Sequence, residues 1–148
     1  MSKLKIGAGD WILVCDGKKA VILENAGDRK FPNLRVKAVR EHEDPPTRDL
    51  GTDAPARVFA SVGSARSATE TTDWHDQAER AFLREVVGEL QSAAMQRKFE
   101  GLVVVAPPRA LGVIREAYPP GLRAFVRAEV GHDYTHLPVD EIERRLLG

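Results

Sequence analysis

Five apolar residues in a row, Trp11 to Cys15, open the ordered pattern of the chain. A run without polar alternation suits a strand covered on both faces. The stretch DGKK at 16–19 then makes an Asp-Gly turn, and AVILEN at 20–25 is β-rich and pairs back as a hairpin. Residues 34–43 alternate Leu34, Val36 and Ala38 against Arg35 and Lys37. That period of two marks a half-exposed, peripheral strand, and the three strands together predict a meander.

Residues 44–72 break the pattern. They are rich in Pro, Gly, Ser, Thr and Asp, show no period, and offer only Val58, Phe59 and Val62 as anchors. The segment reads as a long, mobile surface loop. A long helix is expected to follow, with Asp73 as its N-cap and Asp76 in its first turn. Ala78, Phe82, Val86, Leu90 and Ala93 form one apolar stripe, widened by Leu83, Val87 and Ala94. The helix should end near Phe99, with Gly101 as its exit.

The run from Leu102 to Ala106 again has no polar face and belongs mid-sheet, parallel to a neighbour. Proline carries no ladder donor, so Pro107 and Pro108 end the strand. Pro108 also suits the first turn of the next helix, in which Leu111, Ile114 and Ala117 face inward. Pro119, Pro120 and Gly121 close that helix, and residues 122–131 alternate as a strand nearer an edge. HDYTHLP at 132–138 is a loop, and Pro138 with Asp140 opens a last amphipathic helix carrying Val139, Ile142, Leu146 and Leu147. The order β-β-β-loop-α-β-α-β-α predicts a single three-layer α/β domain over residues 1–148. Its mixed sheet has about five strands with helices on both faces.

Bulk composition narrows the function classes. The 148 residues carry 22 Lys and Arg against 22 Asp and Glu, a net charge of zero. That weighs against broad, non-specific nucleic-acid binding. The single Cys15 calls for no oxidising compartment, and it reads as a small core residue. The apolar run near the N-terminus is too short for a signal core or a membrane span, so a cytoplasmic protein with no membrane contact is expected.

Candidate chemistry gathers where parallel strands end, because ligands of mixed α/β sheets sit beyond their carboxyl ends. If the first, fourth and fifth strands run parallel, Asp16, Arg109, His132, Asp133 and His136 meet there. Each has two readings. Asp16 is a turn residue or part of a polar pocket. Arg109 holds an anion at a helix start, or pairs with Asp133 or Glu116. His132, Asp133 and His136 orient a water or bind a metal, or Asp133 and Thr135 only cap local structure. Because Pro138 places the two histidines on a loop rather than a helix, no metal and no cofactor is expected. A nuclease would need carboxylates converging on divalent metal, and Asp10, Asp16, Asp133 and Asp140 are not placed on strand interiors. GAGD at 7–10 precedes a strand rather than following one, so it is no phosphate loop.

Three motifs carry a family resemblance: WILVCDG at 11–17, LVVVAPPRALGVIRE at 102–116 and HDYTHLPVDEIERRL at 132–146. With the element order they make the chain resemble the bacterial host-attachment protein family over nearly its whole length. That family is similar in fold to the central domain of archaeal and eukaryotic peptide-chain release factors, an RNase-H-like α/β unit. That domain bears a Gly-Gly-Gln loop between a strand and a long helix. Residues 44–72 occupy the same slot and include SVGSARSA at 61–68, but no Gly-Gly-Gln, so peptide release is not expected. The long loop in that slot and the absence of a complete catalytic set point to a non-enzymatic binding module. Its loop would meet a ribosome, another RNA or a protein through Arg57, Gly63 and Arg66, with Arg48 nearby. Two alternatives stay open: a metal-assisted hydrolase or nuclease at the strand ends, and a small-anion-binding protein at Arg109. Monomer and dimer both fit, the latter by edge pairing of the 34–43 strand.

Overall fold

The computed structural model describes residues 4–42 and 64–147, and the side chains of all of these but 64–75. Three strands come first: β1 (Trp11–Cys15), β2 (Lys19–Asn25) and β3 (Leu34–Glu41). The long helix α1 (Ser64–Met95) leads to β4 (Leu102–Val105), α2 (Pro108–Ala117) and a single helical turn, α3 (Pro120–Arg123). Strand β5 (Val126–Val130) and helix α4 (Val139–Leu147) complete the chain.

The strands form one five-stranded sheet in the order β3-β2-β1-β4-β5. Strands β1, β2 and β3 are antiparallel neighbours, whereas β4 runs parallel to both β1 and β5. The expected mixed α/β sheet is therefore present, and the tails of β1, β4 and β5 point to one side. In β1, Leu13 lies between Ile22 of β2 and Val104 of β4.

Unbroken apolar runs are explained by the two cores. Trp11, Leu13, Cys15, Leu102, Val104 and Ala106 face α1 and α2, packing on Phe82, Val86, Leu90, Leu111 and Ile114. Ile12, Val14, Val103 and Val105 face the other way, onto Ile6, Ile142 and Leu146. All five residues of β1 and all four of β4 are buried. At about 25 cal/mol per Å² of apolar surface removed from water, this two-sided burial is the dominant stabilising term of the fold.

The end of β4 follows the donor argument. Ala106 still donates its N–H to the Val130 carbonyl at 3.0 Å, and Pro107, next in line, has none to give. Pro107 becomes the N-cap of α2, with proline at its start.

The structure corrects three boundaries. Helix α1 starts at Ser64 rather than Asp73, so residues 64–72 of the segment read as loop are helical. The breakers Pro45, Pro46, Pro55, Gly51 and Gly63 all lie upstream, while each Ser or Thr costs a helix less than about 0.7 kcal/mol. Asp73 is consequently an interior residue and no cap. The rest of the segment read as a mobile loop, 44–63, lies outside the described residues, as do Arg48, Arg57 and Gly63. Arg66 is in helix α1, its side chain outside the described set.

Helix α1 ends at Met95, short of Phe99, and its exit is Arg97 rather than Gly101. Arg97 has φ 56°, in the left-handed region. Lys98 N–H donates to Ala93 O at 3.0 Å and Arg97 N–H to Ala94 O at 3.0 Å, the pair of bonds that closes a Schellman motif.

Strand β5 begins at Val126, not at residue 122. Pro119 and Pro120 fix φ and launch the turn α3 instead, with Leu122 N–H donating to Pro119 O at 3.0 Å. That turn buries Leu122 completely.

Candidate functional site at the strand ends

Asp16 follows β1 directly, and its side chain organises the hairpin turn. Its Oδ1 accepts the N–H groups of Lys18 at 2.7 Å and Lys19 at 2.8 Å. The turn role is thus real, and it leaves Oδ2 facing the Thr135 hydroxyl oxygen at 3.4 Å.

Thr135 belongs to the loop after β5 and is buried at 6 % exposure. Its hydroxyl donates to Asp133 Oδ1 at 2.6 Å, and its N–H donates to the same oxygen at 3.0 Å. This is the short-range Asx closure that aspartate favours. Burial pushes the Asp133 carboxyl up, but the two Thr135 bonds and the neighbouring His136 outweigh it and hold it below the usual carboxylate range.

Asp16, Asp133 and His136 come together as the parallel tails require. One ligand atom from each lies within 4.8 Å of the others, with Asp16 half-buried and the other two exposed. The remaining two predicted residues do not join them. His132 stacks on Tyr134, ring centroids 5.7 Å apart and planes 5° from parallel. The Arg109 guanidinium turns instead to the Asp76 carboxylate of α1, which also accepts from Arg80 Nε at 3.0 Å. Neither expected partner of Arg109, Asp133 or Glu116, is used; Glu116 lies 3.8 Å from Arg80. Hydrogen bonds from Arg80, then Arg109, hold the Asp76 carboxyl below its ordinary value.

Arg109 therefore sits on the lip of a cleft between α1 and α2, of about 90 Å³, floored by Leu83 and Val113. That volume is well below the range of about 300–1,000 Å³ typical of small-molecule sites. Arg109, 70 % exposed, shares the Asp76 carboxylate with Arg80 and is engaged there rather than at Asp16, Asp133 and His136.

The other carboxylates are elsewhere. Asp10 precedes β1, at the opposite end of the strand from Asp16, and pairs with Arg127 Nη1 at 3.0 Å. Asp140 lies in the first turn of α4. Cys15 is buried beneath the cluster, where burial and the charges of Asp16 and Asp133 push its thiol up to about 12. It packs as a core residue and offers no thiolate near neutral pH.

Sequence reasoning missed the bridging place of Thr135. The signal was the spacing Asp133-x-Thr135, which suits an Asx closure, but the contact with Asp16 depends on the fold.

No described helix is long and apolar enough to cross a membrane. The chain is similar to the uncharacterized protein RP470 of Rickettsia prowazekii (strain Madrid E), with 31% identity over 73 residues. The match covers 49% of this chain and 47% of that protein, so it spans about half of the relative's length. Among solved structures, the archaeal translation termination factor aRF1 is similar at a TM-score of 0.47 and 15% identity, covering 84% of this chain and 30% of that one. Residues 11–146 match the family described as "protein required for attachment to host cells", and the chain belongs to that family.

Proposed function

We propose that this chain is a non-enzymatic binding module that serves the attachment role of its family by engaging a macromolecular partner. The observation that carries this reading is the engagement of Asp16 Oδ1, Arg109 and Cys15 by the chain itself. Asp16 holds its turn through Oδ1, Arg109 pairs with Asp76, and the Cys15 thiol stays protonated. A hydrolase needs a free base or nucleophile at the reacting atom. A binding face needs only polar groups held in place, which the bonds of Asp16 and Arg109 supply.

A protein partner suits the balanced charge of 22 basic and 22 acidic residues better than an RNA does. The ribosomal form of the reading rests on segment 44–72 with Arg57, Gly63 and Arg66.

Crosslinking in cells followed by capture of the tagged full chain, read for both protein and RNA, tests the proposal. Enrichment of a specific protein, together with loss of host-cell adherence on gene deletion and its return on complementation, is the expected result. Ribosomal RNA in the capture and co-sedimentation with polysomes at low salt would transfer the partner to the ribosome. Turnover of RNA, DNA or phosphoesters that Asp16→Asn abolishes would overturn the non-enzymatic reading.

A further inference from the structure

We propose that Asp16, Asp133 and His136 bind a single first-row divalent cation of the zinc class. The inference deepens the binding-module reading, because it names a ligand for the same strand-end face.

Geometry is the first support. Ligand atoms of the three residues all lie within 4.8 Å of one another, on two loops more than a hundred residues apart that the parallel strands bring together. Oxygen and nitrogen ligands stand about 2.0–2.2 Å from zinc. Atoms on one such ion are about 3–4 Å apart, within reach of small rotations of two exposed side chains.

The second support is an excess of acceptors. A threonine hydroxyl has one proton, and the 2.6 Å contact assigns it to Asp133 Oδ1. The 3.4 Å contact of the Thr135 hydroxyl with Asp16 Oδ2 is the weaker arm of that one donor. Among the described residues no arginine forms an ion pair with Asp16 or Asp133. Two carboxylates and a hydroxyl oxygen thus converge beside one imidazole. A dication removes the mutual repulsion of such carboxylates.

Orientation is the third. Asp16 is held through Oδ1 by two backbone N–H groups, and Asp133 through Oδ1 by the Thr135 N–H and hydroxyl. Each carboxylate is held through one oxygen, the kind of outer-shell support that metal ligands receive. An imidazole among the ligands favours zinc-class ions over Mg²⁺ or Ca²⁺. Three protein ligands with two of the residues exposed leave room for water, or for a partner's acidic group, on the ion. No helical His-x-x-x-His pair is needed, because Asp16 supplies the third ligand from another loop.

The test uses the full chain after chelator treatment. Calorimetric titration with Zn²⁺ should give one site per chain, and Co²⁺ should produce visible absorption bands. Asp133→Asn and His136→Ala should each weaken Zn²⁺ binding about tenfold or more, whereas His132→Ala should not. Metal-free melting curves of the variants check folding, and Mn²⁺ broadening of the His136 ring signals in the unsubstituted chain needs no variant. Absence of Zn²⁺ binding overturns the inference. So does binding that survives both substitutions, or equal affinity for Mg²⁺. A chain that captures its partner but binds no Zn²⁺ overturns this inference alone. One that binds Zn²⁺ and captures nothing overturns only the binding-module reading.

Discussion

Arg127 of β5 reaches across the end of β4 to Asp10, its Nη1 lying 3.0 Å from the buried Oδ2, and it passes over Gly101 on the way. A Cβ on residue 101 would stand 2.1 Å from the Arg127 Nε. Glycine is needed here for the guanidinium's path rather than for a helix exit.

This arrangement makes Gly101 and Arg127 energetically coupled. Arg127→Ala leaves a buried carboxylate without its cation and should cost about 1–3 kcal/mol, since the pair is half-exposed on the arginine side. Gly101→Ala should cost a similar amount by displacing the arginine. In the Arg127→Ala background, Gly101→Ala should be nearly neutral. Urea denaturation of all four proteins measures the coupling, and strictly additive losses would sink the account.

Asn25 is the best-connected polar side chain of the described structure. It is 1 % exposed. Its Nδ2 faces the carbonyls of Ile6, Gly7 and Asp28 at 3.0, 3.1 and 3.2 Å, and its Oδ1 accepts from Gly27 at 3.0 Å and Asn33 at 2.9 Å. Asn25→Asp replaces a double donor with an acceptor against three carbonyl oxygens. We expect a loss of about 3–5 kcal/mol near neutral pH. Thermal melts at pH 7 and at pH 4 check it. Protonating the introduced carboxylate restores one donor, so the deficit should shrink at the lower pH.

Arg97 holds the left-handed position that ends α1. A side chain there costs about 1–2 kcal/mol that glycine avoids. Arg97→Gly should therefore raise stability by about 0.5–1 kcal/mol after its greater unfolded-state freedom is counted. A midpoint of urea unfolding that fails to rise would show the strain to be relieved elsewhere.

Cys15 should resist iodoacetamide in the native chain at pH 8 and react on unfolding, since burial keeps the thiol protonated. The same shift has a pH consequence. The folded thiol titrates at about 12 and the unfolded one at its ordinary value of 9.0. Above pH 9 the unfolded chain binds fewer protons, so stability falls as pH rises towards 12, by up to about 1.4 kcal/mol per pH unit. Cys15→Ala should be less stable at pH 7 through lost packing, but its stability should fall less steeply over that window. Parallel slopes would contradict the assignment.

How much of this was legible in the sequence depended on whether the signal was local. Strands β1 and β4 announce themselves by unbroken apolar runs, because two-sided burial leaves no polar position. Pro107 ends β4 for a reason visible in one residue. The meeting of Asp16, Asp133 and His136 followed from parallel strands alone. Helix α1 extended past its expected start because Ser and Thr are weak discriminators between loop and helix, while Pro and Gly are strong ones. Arg109 found Asp76 rather than Asp133 or Glu116 because its partner lies on a helix packed alongside, a contact that spacing cannot show. The αL residue at Arg97 was missed because glycine is the usual occupant and Gly101 stood close by.

The position of β1 also bears on how the chain acquires its fold. Its partner β2 is the next strand in sequence, whereas β4 must return across residues 16–101 to meet it. A hairpin closes in about 1–10 μs, but non-local parallel pairing waits on the closure of that long segment. In the interval one edge of β1 presents unbonded backbone groups flanked by apolar side chains. Refolding yield should accordingly fall with protein concentration, as chains collide through the edge that β4 has yet to cover.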